Sequence, residues 1–258
     1  MIPAIATLPR IMVAPNGARK TRADHPALPL TVGDLVETAI ACHNAGAGGL
    51  HAHVRDAEGR HVLDAGIYAE LLAELARATP DLLVQITTES AGLYRPSDQR
   101  ALVRALMPSA VSIALREILA GHETEEAARL FAECDAAGIA VQHILYSADE
   151  VTQLARLVAA GVVPKRGLQV LHVLGRYTSG QRSSPSDMDL PLARQRAGGL
   201  VADWAVCAFG SAETACLTEA ARRGGKVRVG FENNLFMADG SLARDNADRV
   251  AEVAAALV

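Results

Sequence analysis

The chain has 258 residues and a formal net charge of −4 at pH 7, with 50% hydrophobic but only 3% aromatic residues. Such a core is built from Ala, Val, Leu and Ile, as is typical of aliphatic α/β proteins. The charge balance and the lack of a dense Lys/Arg run exclude an electrostatic footprint for nucleic acid or an anionic membrane. No apolar run approaches the roughly 20 residues of a membrane span.

The N-terminal stretch MIPAIATLPRIMVAP lacks the basic n-region of a signal peptide. We therefore expect a cytoplasmic protein with no membrane partner. Four cysteines are scattered without C-x-x-C spacing, which predicts free, buried thiols and not a disulfide framework or a thiolate zinc site. They are Cys42, Cys134, Cys207 and Cys216.

Short apolar segments alternate with helical patterns along the whole chain. In order, the candidate strands are RIMVAP (10–15), GGLHAHV (48–54), LLVQITT (82–88), AVSIAL (110–115), GIAVQHIL (138–145), GLQVLHVLG (167–175), DWAVCAFG (203–210) and KVRVGFE (226–232). Helix-length segments rich in Ala, Leu and Glu lie between them, including 32–45, 67–78, 124–137, 150–160 and 212–222. Eight strand-helix repeats predict an α/β fold, a single (β/α)8 TIM barrel domain over residues 1–258.

A doubly wound open sheet is the rival architecture. It usually carries a G-x-G-x-x-G turn after the first strand, which the segment 14–31 lacks. That segment and 175–191 are long connections after strand ends, where barrels assemble their active sites, so both are expected to bind or cover substrate. For 175–191, an oligomer contact or plain surface loop is an equal alternative. Candidate helix caps are Thr31, Ser97 and Ser211 at the start, and Gly46, Gly138 and Gly161 at the end.

Two histidines stand two residues apart in GGLHAHVRD, at the end of the second strand. Residues i and i+2 share one face of a strand, so His51 and His53 can present two imidazoles to zinc, although hydrogen-bonded structural histidines are the alternative. Glu232, at the end of the eighth strand, is the candidate third ligand, because inward residues of alternate strands share a layer. Its alternative is a structural carboxylate paired with Arg228 or Arg10. Two imidazoles, a carboxylate and an open fourth position are typical of catalytic zinc.

Motifs in a fixed order along nearly the whole chain resemble those of the β-keto acid cleavage enzymes, a family of zinc-dependent β/α barrels. They are NGARKTRADHPALPLT, AGAGGLHAHVRDAEGR, VQITTES, MPSAVSI, HVLGR, VRVGFENNLF and GSLARDNADRV. The resemblance implies that His51, His53 and Glu232 bind zinc, and that a β-keto acid chelates it through its carboxylate and 3-keto oxygen. It further implies that the enolate attacks acetyl-CoA, that retro-Claisen cleavage gives acetoacetate and a new acyl-CoA, and that the protein is a homo-oligomer, a tetramer or dimer.

The resemblance also implies roles around the zinc. Thr87 and Ser112 match hydroxyl residues that orient the carboxylate or donate to an oxyanion, and Thr88 is placed with them in substrate binding. Ordinary β-branched strand packing is the alternative for the threonines. Arg228 matches an arginine that orients a neighbouring acid or stabilises negative charge. Asn16, in the NGAR stretch, is expected to contact substrate.

Two positions depart from the family pattern. The family usually reads Glu-Asp-Asn after the eighth strand, whereas this chain reads Glu-Asn-Asn. An amide takes up no proton at neutral pH, so Asn233 is expected to hydrogen-bond substrate while Glu89 or His25 serves as the base. A family glutamate is replaced by Arg19, which leads to the hypothesis that this arginine recognises an anionic or polar substrate tail. A solvated loop residue is the alternative.

Two other functions remain open at this point. A zinc hydrolase of the amidohydrolase type also carries H-x-H on a barrel, but there the pair belongs on the first strand. A homologue that retains zinc and binds a keto acid without turnover is the non-enzymatic alternative, because Asn233 replaces the usual Asp. No P-loop or Rossmann motif marks a CoA site, so acetyl-CoA as a partner rests on the resemblance.

Overall fold

In the computed structural model, which describes residues 3–257, parallel strands close into one barrel in the order β1 to β8. The strands are β1 (Ile11–Val13), β2 (Gly49–Ala52), β3 (Leu83–Thr87), β4 (Ala110–Ala114), β5 (Ala140–Leu145), β6 (Gln169–Leu174), β7 (Asp203–Ala208) and β8 (Lys226–Val229). β8 pairs with β1, with Arg228 opposite Met12, which closes the sheet. All eight predicted strands and the (β/α)8 architecture are confirmed.

Helices follow each strand and surround the barrel. Within residues 3–257 they are α1 (Val32–Asn44), α2 (Ala65–Ala78), α3 (Pro96–Leu106), α4 (Leu115–Ile118), α5 (Thr124–Ala137), α6 (Ala148–Ala159), α7 (Asp189–Ala197), α8 (Glu213–Arg222) and α9 (Asn246–Ala256). None of these helices is long and apolar enough to cross a membrane. The four cysteines are free and buried, as predicted.

The helix ends match the expected caps in part. Thr31 caps α1, with its side chain accepting from a backbone N–H of the first turn. The other two predicted N-caps are wrong: α3 begins at Pro96, one residue before Ser97, and α8 begins at Glu213, two residues after Ser211. Proline suits the first helical position because its φ is preset and its missing N–H is not needed there. The expected C-terminal glycines follow α1, α5 and α6 with positive φ: Gly46, Gly138 and Gly161.

Alternation along the strands divides the sheet into two faces. Outward residues such as Leu50, Ile86 and Val111 pack with the helices in the main aliphatic core. The strands β4 to β7 contribute a second apolar cluster that includes Ile144 and Leu171. Polar side chains hold several of the other inward positions, among them His51 on β2, Gln85 on β3 and Arg228 on β8, and these begin the functional site. The long segments 14–31 and 175–191 both follow strand ends at the same rim.

Candidate active site and metal centre

The two histidines of β2 meet at the rim of the barrel. His51 lies in the strand and His53 just beyond its last residue, and both are buried. Their Nε2 atoms are 3.1 Å apart. The i, i+2 spacing therefore brings the two ring nitrogens to one point, as the strand period requires.

Glu232 completes the group from a turn that follows β8, not from the strand itself. Its Oε2 lies 3.7 Å from Nε2 of His51 and 3.6 Å from Nε2 of His53. Its Oε1 is 3.2 Å from Nη2 of Arg228, so the carboxylate both faces the imidazoles and pairs with arginine. Arg10 instead donates to the carbonyl of Leu257.

A second layer of polar groups orients the histidines. Nδ1 of His51 lies 2.8 Å from Oε1 of Gln85, whose own Nε2 donates to Gln142 at 3.1 Å. Because the Gln85 oxygen can only accept, this contact indicates a proton on Nδ1 and leaves the Nε2 lone pair free. Asn16 donates from Nδ2 to the carbonyl of His53 at 2.9 Å.

The charges of the three groups suit a cation. Burial, with the Arg228 guanidinium adding to it, lowers the pKa of His51 to about 4. Burial and the neighbouring His51 hold the pKa of His53 well below its usual value. For Glu232, burial favours the protonated form, but the Arg228 guanidinium outweighs it and lowers the pKa. Neutral imidazoles therefore face a carboxylate.

The donor set fits a divalent metal. The three ligand atoms lie within 4.8 Å of one another. Within residues 3–257, Oε2 of Glu232 is buried without a hydrogen-bond partner, which is costly for an anionic oxygen unless a cation meets it. Two imidazole nitrogens and one carboxylate oxygen are ligands that zinc accepts, with further positions open.

The hydroxyl residues of β3 and β4 lie side by side. Thr87 pairs in register with Ser112, and its Oγ1 accepts from the backbone N–H of Glu89 at 3.0 Å. Thr88 donates from Oγ1 to the carbonyl of Ser112 at 3.0 Å, so its hydroxyl is used in the barrel wall. Oγ of Ser112 is buried and has no hydrogen-bond partner in the described part of the chain.

A small open pocket lies over the group, lined by Asn16, Gly17, Ala18, Arg19, Lys20, Glu89, Arg176, Phe209 and Glu232. Glu89 spans it, with Oε2 3.9 Å from Nε2 of His53 and Oε1 3.9 Å from Nη2 of Arg176. Burial, with repulsion from Glu232, raises the pKa of Glu89 to about 7, against the effect of Arg176 and Arg19. Arg176 lies in the HVLGR motif, but spacing alone gave no reason to single it out.

Two predicted residues point elsewhere. Asn233 donates from Nδ2 to Oε1 of Glu213 and to the carbonyl of Arg228, each at 3.2 Å. His25 uses both ring nitrogens within the loops: Nε2 lies 2.9 Å from the carbonyl of Ala243, and Nδ1 accepts from the N–H of Ala27 at 3.1 Å. His25 therefore serves as loop packing, and Glu89 is left as the better-placed candidate base.

A closed (β/α)8 barrel with a His-His-Glu set at the C-terminal ends of its strands is the architecture of metal-dependent barrel enzymes. The chain belongs to the β-keto acid cleavage enzyme family, whose sequence model matches residues 10–258. It is 25% identical over 249 residues to a 3-keto-5-aminohexanoate cleavage enzyme from Fusobacterium nucleatum, covering 94% of this chain and 89% of that protein.

A second relative and a solved structure extend the comparison. The chain is 24% identical to a 3-oxoadipate:acetyl-CoA acetyltransferase from Cupriavidus necator, covering 95% of this chain and 87% of that one. The apo structure of ObcA superposes with a TM-score of 0.66 at 16% identity, over 89% of this chain. The chain spans 61% of the length of ObcA, and that likeness supports the barrel fold.

Proposed function

We propose that the protein is a zinc-dependent enzyme that condenses a β-keto acid with acetyl-CoA and cleaves a C–C bond, giving acetoacetate and a new acyl-CoA. The observation that carries this proposal is the convergence of His51, His53 and Glu232 beneath an open pocket, in a chain of this family. When bound, zinc would stabilise negative charge on the carboxylate and keto oxygens of the substrate. The name of the Cupriavidus necator relative supports acetyl-CoA as the partner.

The side chains around the proposed metal would bind and orient the substrate. Arg228 is buried, and its Nε and Nη1 lack hydrogen-bond partners among the described residues. Either donor can make a charge-assisted hydrogen bond to an oxygen of a bound substrate. Ser112, whose hydroxyl has a free donor, and Thr87 beside it are proposed to donate to oxygens that gain charge during the reaction.

Glu89 is the proposed base, on the ground of its position. It lines the pocket next to His53, whereas the amide of Asn233 faces Glu213 and cannot accept a proton. Glu89→Gln should abolish deuterium incorporation at the α-carbon of a β-keto acid in D₂O while the protein still binds zinc. Unchanged exchange in this variant would remove Glu89 from the mechanism.

The pocket also suggests a substrate class. Arg19, Lys20 and Arg176 supply three cations against the carboxylates of Glu89 and Glu232, and zinc would add more positive charge. We propose that Arg19 recognises an anionic or polar substrate tail. Arg19→Ala should lower the rate with anionic-tail β-keto acids more than the rate with neutral-tail ones. An unchanged ratio of the two rates would contradict this.

The central experiment incubates zinc-loaded protein with acetyl-CoA and a panel of β-keto acids, and detects acetoacetate and new acyl-CoA by mass. The His51→Ala variant should bind no zinc and form no product. His43→Ala is the matched control, because His43 is half-buried on α1 and its Nδ1 contacts the Ala47 carbonyl. If wild type retains zinc but forms no product across the panel, the activity is wrong and a binding-only role is favoured.

A further inference from the structure

The carboxylate of Glu232 is carried by irregular backbone. Gly230 has φ of 141°, and a Cβ placed there would lie 2.4 Å from the carbonyl oxygen of Ala14. The N–H of Asn233 donates to the Gly230 carbonyl at 2.8 Å, and the N–H of Asn234 does so at 3.1 Å. Regular strand pairing therefore ends at Val229, and the N–H of Glu232 makes one further backbone bond, to the carbonyl of Ala14 at 3.1 Å. Side chains from neighbouring elements must fix the rest of this turn, residues 230–234.

Glu213 is the side chain that holds the turn on both sides of Glu232. It is the first residue of α8 and is fully buried. Its Oε1 accepts from the backbone N–H of Gly230 at 3.2 Å and from Nδ2 of Asn233 at 3.2 Å. The N–H of Phe231 between them donates to Asn246 at 2.9 Å. A carboxylate oxygen with two acceptor sites can take both donors at once.

The other oxygen of Glu213 fixes the carboxylate itself. Oε2 accepts from Nη2 of Arg249 at 2.8 Å, and that nitrogen also donates to Thr214 at 2.9 Å. Arg249, on α9, is fully buried and pairs with Glu252 as well. A buried ion pair often stabilises a protein no more than a well-packed pair of apolar side chains would. Core stability therefore does not by itself explain why a charged pair occupies this position.

We propose that Glu213 is a positioning residue for the metal centre: it anchors the 230–234 turn from α8 and thereby sets where Glu232 presents Oε2 to the two histidines. This inference rests on the proposed metal centre. It also gives a physical role to Asn233, because an amide donates to the buried carboxylate of Glu213. An aspartate at 233 would bring a second carboxylate against it, which is unfavourable for two buried anions.

The test is Glu213→Gln, which keeps the size of the side chain. In one orientation its amide nitrogen faces the Arg249 donor, and in the other it faces the donors of Gly230 and Asn233, so it cannot satisfy both. Zinc affinity, measured by competition with a chromogenic chelator, should fall by about 10–100-fold. The visible spectrum of the Co(II)-loaded protein should also change, since it reports the ligand geometry.

Asp203→Asn is the matched control. Asp203 pairs with Lys226 at 2.7 Å and accepts from the N–H of Leu8 at 2.9 Å, so it links β7 and β8 at the opposite end of the barrel. This variant should lose stability but keep wild-type zinc affinity and the Co(II) spectrum. If Glu213→Gln does not fold, Glu213→Asp takes its place, because it retains the charge for Arg249 but shortens the reach to the turn.

The outcomes separate this inference from the function it rests on. Weaker zinc binding in the Glu213 variant, with an altered Co(II) spectrum, supports the positioning role. If the Glu213 variant matches wild type in both readouts while His51→Ala loses zinc, the metal centre stands and the role of Glu213 is overturned. If wild type binds no zinc, the metal centre and this inference are both wrong.

Discussion

His143 offers a direct test of how burial controls a titrating group far from the metal ligands. It points outward from β5 and is 3% exposed, and its ring meets Phe131 at a centroid distance of 5.1 Å. Burial lowers its pKa from 6.5 to about 4. Asp135 and Arg166 line the same cavity but pair with each other at 2.8 Å, so neither offers the ring a charge of its own.

The sign of the effect follows from the direction of the shift. The folded pKa lies below the unfolded value, so protonation favours the unfolded chain. The contribution is fully present above pH 6.5 and is lost as the pH falls toward 4. One pKa unit is worth about 1.4 kcal/mol, so protonation of His143 should lower the free energy of unfolding of wild type by about 2–3 kcal/mol between about pH 7.5 and about pH 4.5.

We expect His143→Leu to remove this term. Nδ1 of His143 makes no hydrogen bond within residues 3–257, and leucine fills a similar volume. The free energy of unfolding, measured in urea at the two pH values with EDTA present, should fall less for the variant than for wild type, by about 2–3 kcal/mol. Leu75→Ala is the control, because Leu75 is a fully buried residue of α2 outside the cavity beside His143, and it should destabilise the protein equally at both pH values. Parallel pH dependences of wild type and His143→Leu would refute the reasoning.

Two further variants probe the site and its backbone. Gln85→Leu removes the acceptor for Nδ1 of His51, so zinc affinity should fall by about 10–100-fold in a chelator competition assay; wild-type affinity would show that this contact is dispensable. In Gly230→Ala the new Cβ would clash with the Ala14 carbonyl, and the backbone would have to keep a φ of 141°. The protein should therefore lose more than about 1–3 kcal/mol of stability, seen as a lower melting temperature. Gly199→Ala has positive φ but no atom within 4 Å, and an equal loss there would contradict the steric account.

Much of the site could be predicted because it follows from strand period and chain order. Side chains alternate along a strand, so the two-residue spacing of His51 and His53 was enough to predict that they share one face. Glu232 was placed correctly near them because parallel strand ends meet at one rim. Its position in a turn was not predicted, since that turn is fixed by Glu213, a residue distant in sequence.

The assignments that the sequence left open concern side chains with several possible partners. Asn233 and His25 both looked available for substrate chemistry, yet the amide N–H₂ of Asn233 donates to Glu213, and the ring nitrogens of His25 meet the carbonyl of Ala243 and the N–H of Ala27. Arg176 could not be identified from the sequence, because no local pattern shows that a residue after β6 faces Glu89 across the pocket. Such pairings depend on which loops meet over the barrel.

The sequence by itself determined the eight-fold alternation of strands and helices, the closed barrel and the facing imidazole pair, because each depends on short-range periodicity and a fixed chain order. Only the tertiary structure decided which carboxylates and cations share the pocket and which buried charge anchors the turn of Glu232. Hydrogen bonds between α8, α9 and the end of β8 join residues distant in sequence. Their geometry exists only once the barrel has closed.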